Sequence, residues 1–316
     1  MAALMVGEPA VASARPVGRL GAHPFRDLLE LAKPGITALI CLVAVGGFLI
    51  ADPRSVDLVR LGWLVVTGAA ASAGAAMLNH YLDRDLDARM RRTQHRPLPD
   101  ERIAPSAVAA ALGLGLLAAG VGGASVLLNP LTGLSIFLGG LTYVVVYTLW
   151  LKRRSSWNIV IGGFAGSAPV LAGSAAAVGD WTLGALAFAL LVFLWTPPHF
   201  WSLALLLKDD YARVGLPMLP RMDNVAFSGK VVVVSAALLV PAALLIGWTG
   251  AVTWPVLAAL VALGLLFVAI TGPLWRRVTP RRARRGFLFS GPYLLLVVAV
   301  IVLNAPLVRF GWPAGW

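Results

Sequence analysis

The stretch Ala75-Ala76-Met77-Leu78-Asn79-His80-Tyr81-Leu82-Asp83-Arg84-Asp85-Leu86-Asp87-Ala88-Arg89 decides the reading of this chain. Its first residues close an apolar run, about 58–81, and its last are densely charged. Asn79, Asp83 and Asp87 stand four apart. On a helix each such step drifts by only ~40°, so the three oxygen-bearing side chains share one stripe. A stripe of that kind packs poorly and suits a hard cation. Mg²⁺ takes one or two carboxylates, keeps waters and bridges to substrate phosphates. A solvated, salt-bridged helix end is the competing reading. Asn79 weighs against it, because it still lies in the apolar run, where polar groups are costly and mark function. The spacing therefore predicts a Mg²⁺–diphosphate site at a membrane face. Arg92 and Arg96 follow, one turn apart, and could clamp phosphate oxygens. Asp85 points elsewhere on the helix and is expected to pair with Arg84 or Arg89.

Outward from this run, the 316 residues are 59% hydrophobic and 13% charged, against roughly 45–50% and about 25% in soluble domains. A span needs about 20 mostly apolar residues. Nine stretches qualify, at about 36–51, 58–81, 104–127, 131–151, 157–178, 182–206, 226–248, 253–274 and 287–308. Their length predicts helices rather than barrel strands. The expected fold is thus all-α, a polytopic membrane protein of nine transmembrane helices in the bilayer. With nine spans, 23 of the 26 Lys and Arg fall on one side, leaving Arg54, Arg60 and Arg309 on the other. The positive-inside rule then places the N-terminus in the cytoplasm and the C-terminus outside. It also accounts for the net charge of +12 without a nucleic-acid partner. Residues 1–26, rich in Ala, Pro and Gly, are expected to be disordered, with 27–316 forming one domain. Cys41 is the single cysteine, which excludes an intrachain disulfide and a cysteine metal motif. Arg strongly outnumbers Lys, as in a GC-rich bacterial genome.

A second mixed cluster begins at Trp195-Thr196-Pro197-Pro198-His199-Phe200-Trp201 and continues through Lys208-Asp209-Asp210-Tyr211 to Pro217-Met218-Leu219-Pro220. The two prolines should kink the sixth span and free backbone carbonyls. Asp209 and Asp210 lie about ten residues past His199, roughly 15 Å of helix. Across a cavity from the first cluster they would make a second cation site; an ordinary cytoplasmic helix end is the alternative. Between spans four and five, Lys152, Arg153 and Arg154 serve topology, or one of them reaches the diphosphate. The six arginines from Arg276 to Arg285 carry no acid and are read as topological and lipid-facing.

From about Leu28 to Val308 these motifs resemble the UbiA superfamily of intramembrane prenyltransferases, and within it the heme-prenylating branch. The Asn79–Asp87 run with Arg92-Thr93 and His95-Arg96-Pro97-Leu98-Pro99 is similar to the superfamily motif. Glu30-Leu31-Ala32-Lys33-Pro34, Trp157-Asn158-Ile159-Val160-Ile161-Gly162-Gly163, and the His199 and Lys208 runs complete the likeness, the last two being specific to the heme branch. The resemblance implies nine helices around a central cavity capped at the cytoplasmic side by both acidic clusters. Asn79, Asp83 and Asp87 would hold Mg²⁺ and the diphosphate, and Arg92, Arg96 and Lys152 match phosphate-contacting positions. It further implies transfer of a farnesyl group from farnesyl diphosphate to a vinyl group of protoheme IX, with heme as substrate rather than cofactor. Heme A synthase or an oxidase-assembly complex would be further partners.

There are departures from the family pattern. His80 follows Asn79 where Asp is common, and Gly35 follows Lys33-Pro34 where Arg is common. At the second D-x-x-x-D of quinone-pathway relatives stand Leu207 and Tyr211, leaving Asp209 and Asp210 as the acids there. That argues against an aromatic acid or quinone precursor as acceptor, which is the nearest rival. A transporter would need broken midplane helices in inverted repeats, and a pure assembly factor would not need the Asn/Asp frame. Heme also needs a ligand, and neutral imidazole is a usual one. Among His80, His95 and His199, the last lies within a span and is the expected heme contact.

Overall fold

The computed structural model describes residues 23–217, 219 and 224–312, and among these all regular elements are helical. A short amphipathic helix, α1 (Pro24–Ala32), precedes the first span. Nine helices are long and apolar enough to cross a membrane among the described residues: α2 (Pro34–Ala51), α3 (Leu58–Asp87), α4 (Ala107–Leu127), α5 (Pro130–Leu151), α6 (Asn158–Val178), α7 (Leu183–Leu206), α9 (Val225–Trp248), α10 (Trp254–Trp275) and α11 (Pro280–Arg309). The six-residue α8 (Lys208–Arg213) lies between α7 and α9. Each expected span is present. Two run further than their apolar stretch: α3 carries the whole acidic run to Asp87, and α11 begins at Pro280, so Arg281 to Arg285 are helical rather than loop. Helix α1 also starts inside the segment expected to be disordered; residues 1–22, Met218, 220–223 and 313–316 lie outside the described residues.

Polar caps start several helices. Asp57 accepts from the amides of Val59 and Arg60 at the start of α3, and Thr182 from Ala185 at the start of α7. Between helices, small residues let backbones approach, as expected where lipid is as apolar as the core. A Cβ on Gly173 of α6 would sit 2.0 Å from the carbonyl of Ala44 on α2, and one on Gly47 would sit 2.2 Å from that of Val170. Gly74 and Gly113 make the same kind of contact between α3 and α4. The largest core joins α2, α6, α7, α9, α10 and α11 around Phe188, Leu191, Leu239, Leu260, Phe267 and Tyr293. Overpacking ordinarily costs roughly 1–3 kcal/mol, and here the obstacle is backbone. We therefore expect Gly173→Val to lose at least that much, read as a lower melting temperature and a smaller monodisperse fraction in detergent; an unchanged melt would mean α2 and α6 are not tightly apposed.

Because consecutive spans run in opposite directions, the start of α2, the ends of α3, α5 and α7, and the start of α11 share one end of the bundle. The Asn79–Asp87 run, Arg92, Arg96, Lys152, Asp209 and Asp210 all fall at that end, and Arg54, Arg60 and Arg309 at the other. The two prolines of α7 lie inside an otherwise uninterrupted helix and are buried.

Candidate active site

The stripe forms as its spacing requires. Asn79, Asp83 and Asp87 are 5%, 2% and 4% exposed, far too buried for a solvated helix end. Asn79 Nδ2 donates to Asp83 Oδ2 at 2.8 Å and to Thr148 Oγ1 at 3.0 Å. Three cations close on the stripe. Lys33 Nζ donates to Asn79 Oδ1 at 2.8 Å, Lys152 Nζ to Asp83 Oδ2 at 2.5 Å, and Arg96 Nη1 to Asp87 Oδ2 at 2.8 Å. Asp83 Oδ1 is buried with no hydrogen-bond partner among the described residues.

The second half of α5, Thr142–Leu151, is a π-helix. Its i→i+5 turns each take in an extra residue, which brings Tyr143, Thr148 and Lys152, spaced five and four apart, onto one side. All three reach the stripe or its cation: Tyr143 Oη accepts from Lys33 Nζ at 3.1 Å, and Thr148 and Lys152 bond as above.

Lys33 was not singled out as a site residue. It joins α1 to α2 with a left-handed backbone, φ 48°, an uncommon conformation for a non-glycine residue that is held where function requires it. Burial, helped by the nearby Arg96 guanidinium, pushes its ammonium down to about 8, against the pull of Asp83 and Asp87. The signal available in sequence was a lone lysine immediately before the proline that opens the first span.

Several expected site residues lie elsewhere. The Asp85 carboxylate pairs with neither Arg84 nor Arg89, although Arg89 Nε donates to the Asp85 backbone carbonyl at 3.2 Å. Its carboxylate is exposed and takes Arg153 bidentately, at 2.7 and 2.9 Å; Arg84 instead bonds the Tyr81 carbonyl and covers that ring. Arg92 is exposed, while Arg96 is held by the stripe. Asp209 is exposed on α8, and Asp210 faces Arg213 at 3.9 Å. Among the described residues no three of His, Cys, Asp and Glu converge on a common point, so the two aspartates of α8 complete no such set. Burial pushes the Tyr211 phenol of α8 above its ordinary value, against the pull of Arg92 and with a smaller push from Asp210. Arg102 ties α1 to the loop after α3, bonding Asp27, Glu30 and the His95 carbonyl.

Below this polar end lies an apolar cavity of about 300 Å³. Lys33, Tyr143 and Tyr147 line its mouth, and Leu64, Leu117 and Ser135 its far end. Along α3 the lining runs from Ala76 to Leu64, roughly 18 Å at 1.5 Å per residue. His199, Trp195 and Phe200 of α7 form part of one wall. Of the other histidines considered, His95 is exposed beside Gln94, and His80 is buried 4.0 Å from Asp87.

An apolar cavity whose one charged lining residue, Lys33, also bonds the buried Asn79 of the acidic stripe suits an amphiphile with an anionic head, which is the arrangement of an intramembrane transferase. The chain belongs to the UbiA prenyltransferase family, whose sequence profile matches residues 39–310. It is 37% identical over 281 residues to a protoheme IX farnesyltransferase of Sulfurisphaera tokodaii, covering 88% of this chain and 92% of that one. A protoheme IX farnesyltransferase of Rhizorhabdus wittichii is 43% identical over 305 residues, covering 92% and 97%. The fold matches that of a digeranylgeranylglyceryl phosphate synthase with a TM-score of 0.75 at 17% identity, over 89% of this chain and 98% of the other. It also matches a UbiA homolog from Archaeoglobus fulgidus bound to DMAPP and Mg²⁺, with a TM-score of 0.65 at 17% identity, over 87% and 99%.

Proposed function

We propose that this protein transfers the farnesyl group of farnesyl diphosphate to a vinyl group of protoheme IX, releasing diphosphate and giving heme O. The observation that carries this is the buried Asn79–Asp83–Asp87 stripe, met by three cations at the mouth of an apolar cavity. The relatives' shared name supplies the acceptor. Two carboxylates, one of them with an unpartnered oxygen in Asp83 Oδ1, and an amide oxygen fit Mg²⁺, with Asn79, Asp83 and Asp87 as the residues that would hold it. When bound it would supply positive charge that offsets the negative charge of the departing diphosphate. Lys33, Lys152 and Arg96 add fixed positive charge at the same mouth, worth most where water is excluded. In this reading Arg92 and the α8 aspartates, exposed or half-buried outside the cavity lining, would meet the diphosphate or a second cation as substrate enters.

The prenyl chain occupies the apolar depth. As the C1–O bond breaks, its electrons leave with the diphosphate, and the vinyl π electrons form the new C–C bond. Water adds to the resulting cation and loses a proton, leaving a hydroxyethylfarnesyl substituent. His199 is the heme contact in this reading. The protein sits in the plasma membrane of a bacterium with its N-terminus and the site cytoplasmic, its C-terminus outside, and hands its product to heme A synthase or an oxidase-assembly complex.

Purified full-length protein incubated with protoheme IX, farnesyl diphosphate and Mg²⁺ should yield, by mass spectrometry of the extracted hemes, a heme heavier by one farnesyl group and one hydroxyl. Product from hydroxybenzoate and none from heme would move the acceptor to the phenolic class.

A further inference from the structure

We propose that Ser290 is a positioning residue that fixes the tautomer and ring plane of His199, presenting a neutral imidazole Nε2 to an iron porphyrin in the cavity. This rests on the reading of heme as acceptor given above. Ser290 lies on α11, 91 residues from His199 in sequence, and is fully buried. Its Oγ stands 2.6 Å from His199 Nδ1 and 2.6 Å from the carbonyl oxygen of Phe287. A serine hydroxyl carries one hydrogen, and a carbonyl oxygen can only accept. Both contacts are satisfied in one way: Ser290 Oγ–H donates to Phe287, and His199 Nδ1–H donates to the Ser290 lone pair. In the neutral ring Nε2 then carries no hydrogen, and its lone pair is free. His199 lines the cavity.

The same serine sets the plane of the ring. Its backbone carbonyl accepts the indole N–H of Trp195 at 2.8 Å. Trp195 stacks on His199 with ring centroids 4.7 Å apart and planes 19° apart. Phe200 meets the imidazole edge-on at 5.0 Å, and Phe287 lies 5.3 Å away on α11. One residue of α11 therefore holds two stacked rings of α7 through two separate acceptors. An imidazole that ligates iron ordinarily has its other nitrogen held in this way, and losing that partner costs roughly 10–100-fold in metal affinity.

The test is a titration of purified full-length protein with ferric protoheme IX, following the Soret band, for wild type, His199→Ala, Ser290→Ala and Ser290→Thr. Wild type and Ser290→Thr should give the spectrum of imidazole-ligated heme, and His199→Ala should lose it. Ser290→Ala should bind heme about 10-fold more weakly and raise KM for heme with KM for farnesyl diphosphate unchanged. A thermal melt of each variant accompanies the titration. Ser290→Ala with the wild-type spectrum and heme affinity would overturn the proposal while leaving heme as substrate. So would equal losses in Ser290→Thr and Ser290→Ala, since the hydroxyl would then not be what matters. Failure of wild type to bind heme at all would overturn the underlying reading instead, and a spectrum unchanged in His199→Ala would remove the ligand this serine is said to hold.

Discussion

Replacing Asp83 by Asn should leave a folded protein that forms prenylated heme at least roughly 10²–10³-fold more slowly, the loss seen when one fixed electrostatic group is removed from an active site. The substitution is nearly isosteric. The new amide oxygen can still accept from Lys152 or Asn79, which today meet Asp83 Oδ2 at 2.5 and 2.8 Å, so the helix contacts persist. What disappears is one of the two buried negative charges that would hold the cation. What remains is an excess of positive charge from Lys33, Lys152 and Arg96, suited to binding diphosphate but not to releasing it. Asp85→Asn, two residues on, is the matched control. Asp85 is exposed and paired with Arg153, an arrangement worth ~0–1 kcal/mol, so its loss should leave turnover near wild type. Product appearance by mass spectrometry, with a melting curve for each variant, reads both. Full activity in Asp83→Asn would take Asp83 out of the mechanism.

The contrast between these two aspartates also shows how far the sequence could be read. The stripe was legible because helical periodicity is local: residues four apart share a face whatever surrounds them. The nine spans were legible because length and apolarity suffice. Partners distant in the chain were not. Asp85 was expected to find Arg84 or Arg89, the only cations within a helical turn, whereas Arg153, 68 residues away, takes it with two bonds. The start of α11 was read short because charged residues at a membrane face look alike in a helix and in a loop. The π turn of α5 was invisible to a reading that assumes α-helical periodicity, so Tyr143 and Thr148 were passed over although both serve the stripe. His199 could be chosen from its depth in a span, but nothing in sequence ties it to Ser290. Arg92 and Arg96 show the same limit. They are one turn apart and chemically equivalent on paper, yet only Arg96 meets Asp87.

Lys33→Met should cost about 10²-fold or more in kcat and change the melting temperature little. Lys33 has two roles open to it, and their magnitudes differ. As a clasp it joins the α1–α2 turn to α3 and α5 through Asn79 Oδ1 and Tyr143 Oη, at 2.8 and 3.1 Å. One such bond is worth ~0.5–1.5 kcal/mol, or up to ~3 when a charge is involved, and removing a desolvated ammonium returns part of that. As a fixed charge it would act, already oriented and half-buried, at the end of the cavity where the diphosphate is proposed to leave. There it acts on the transition state rather than on the fold. Tyr143→Phe separates the two: it deletes one hydrogen bond of the clasp and keeps the ammonium, so it should retain most of the activity. If Lys33→Met and Tyr143→Phe instead lose activity and stability in parallel, the clasp is the role that matters. If Lys33→Met keeps its kcat, the strained backbone at φ 48° serves only to join two helices. The expectation favours the charge, because a clasp alone could be built from a neutral side chain without burying an ammonium at a left-handed turn.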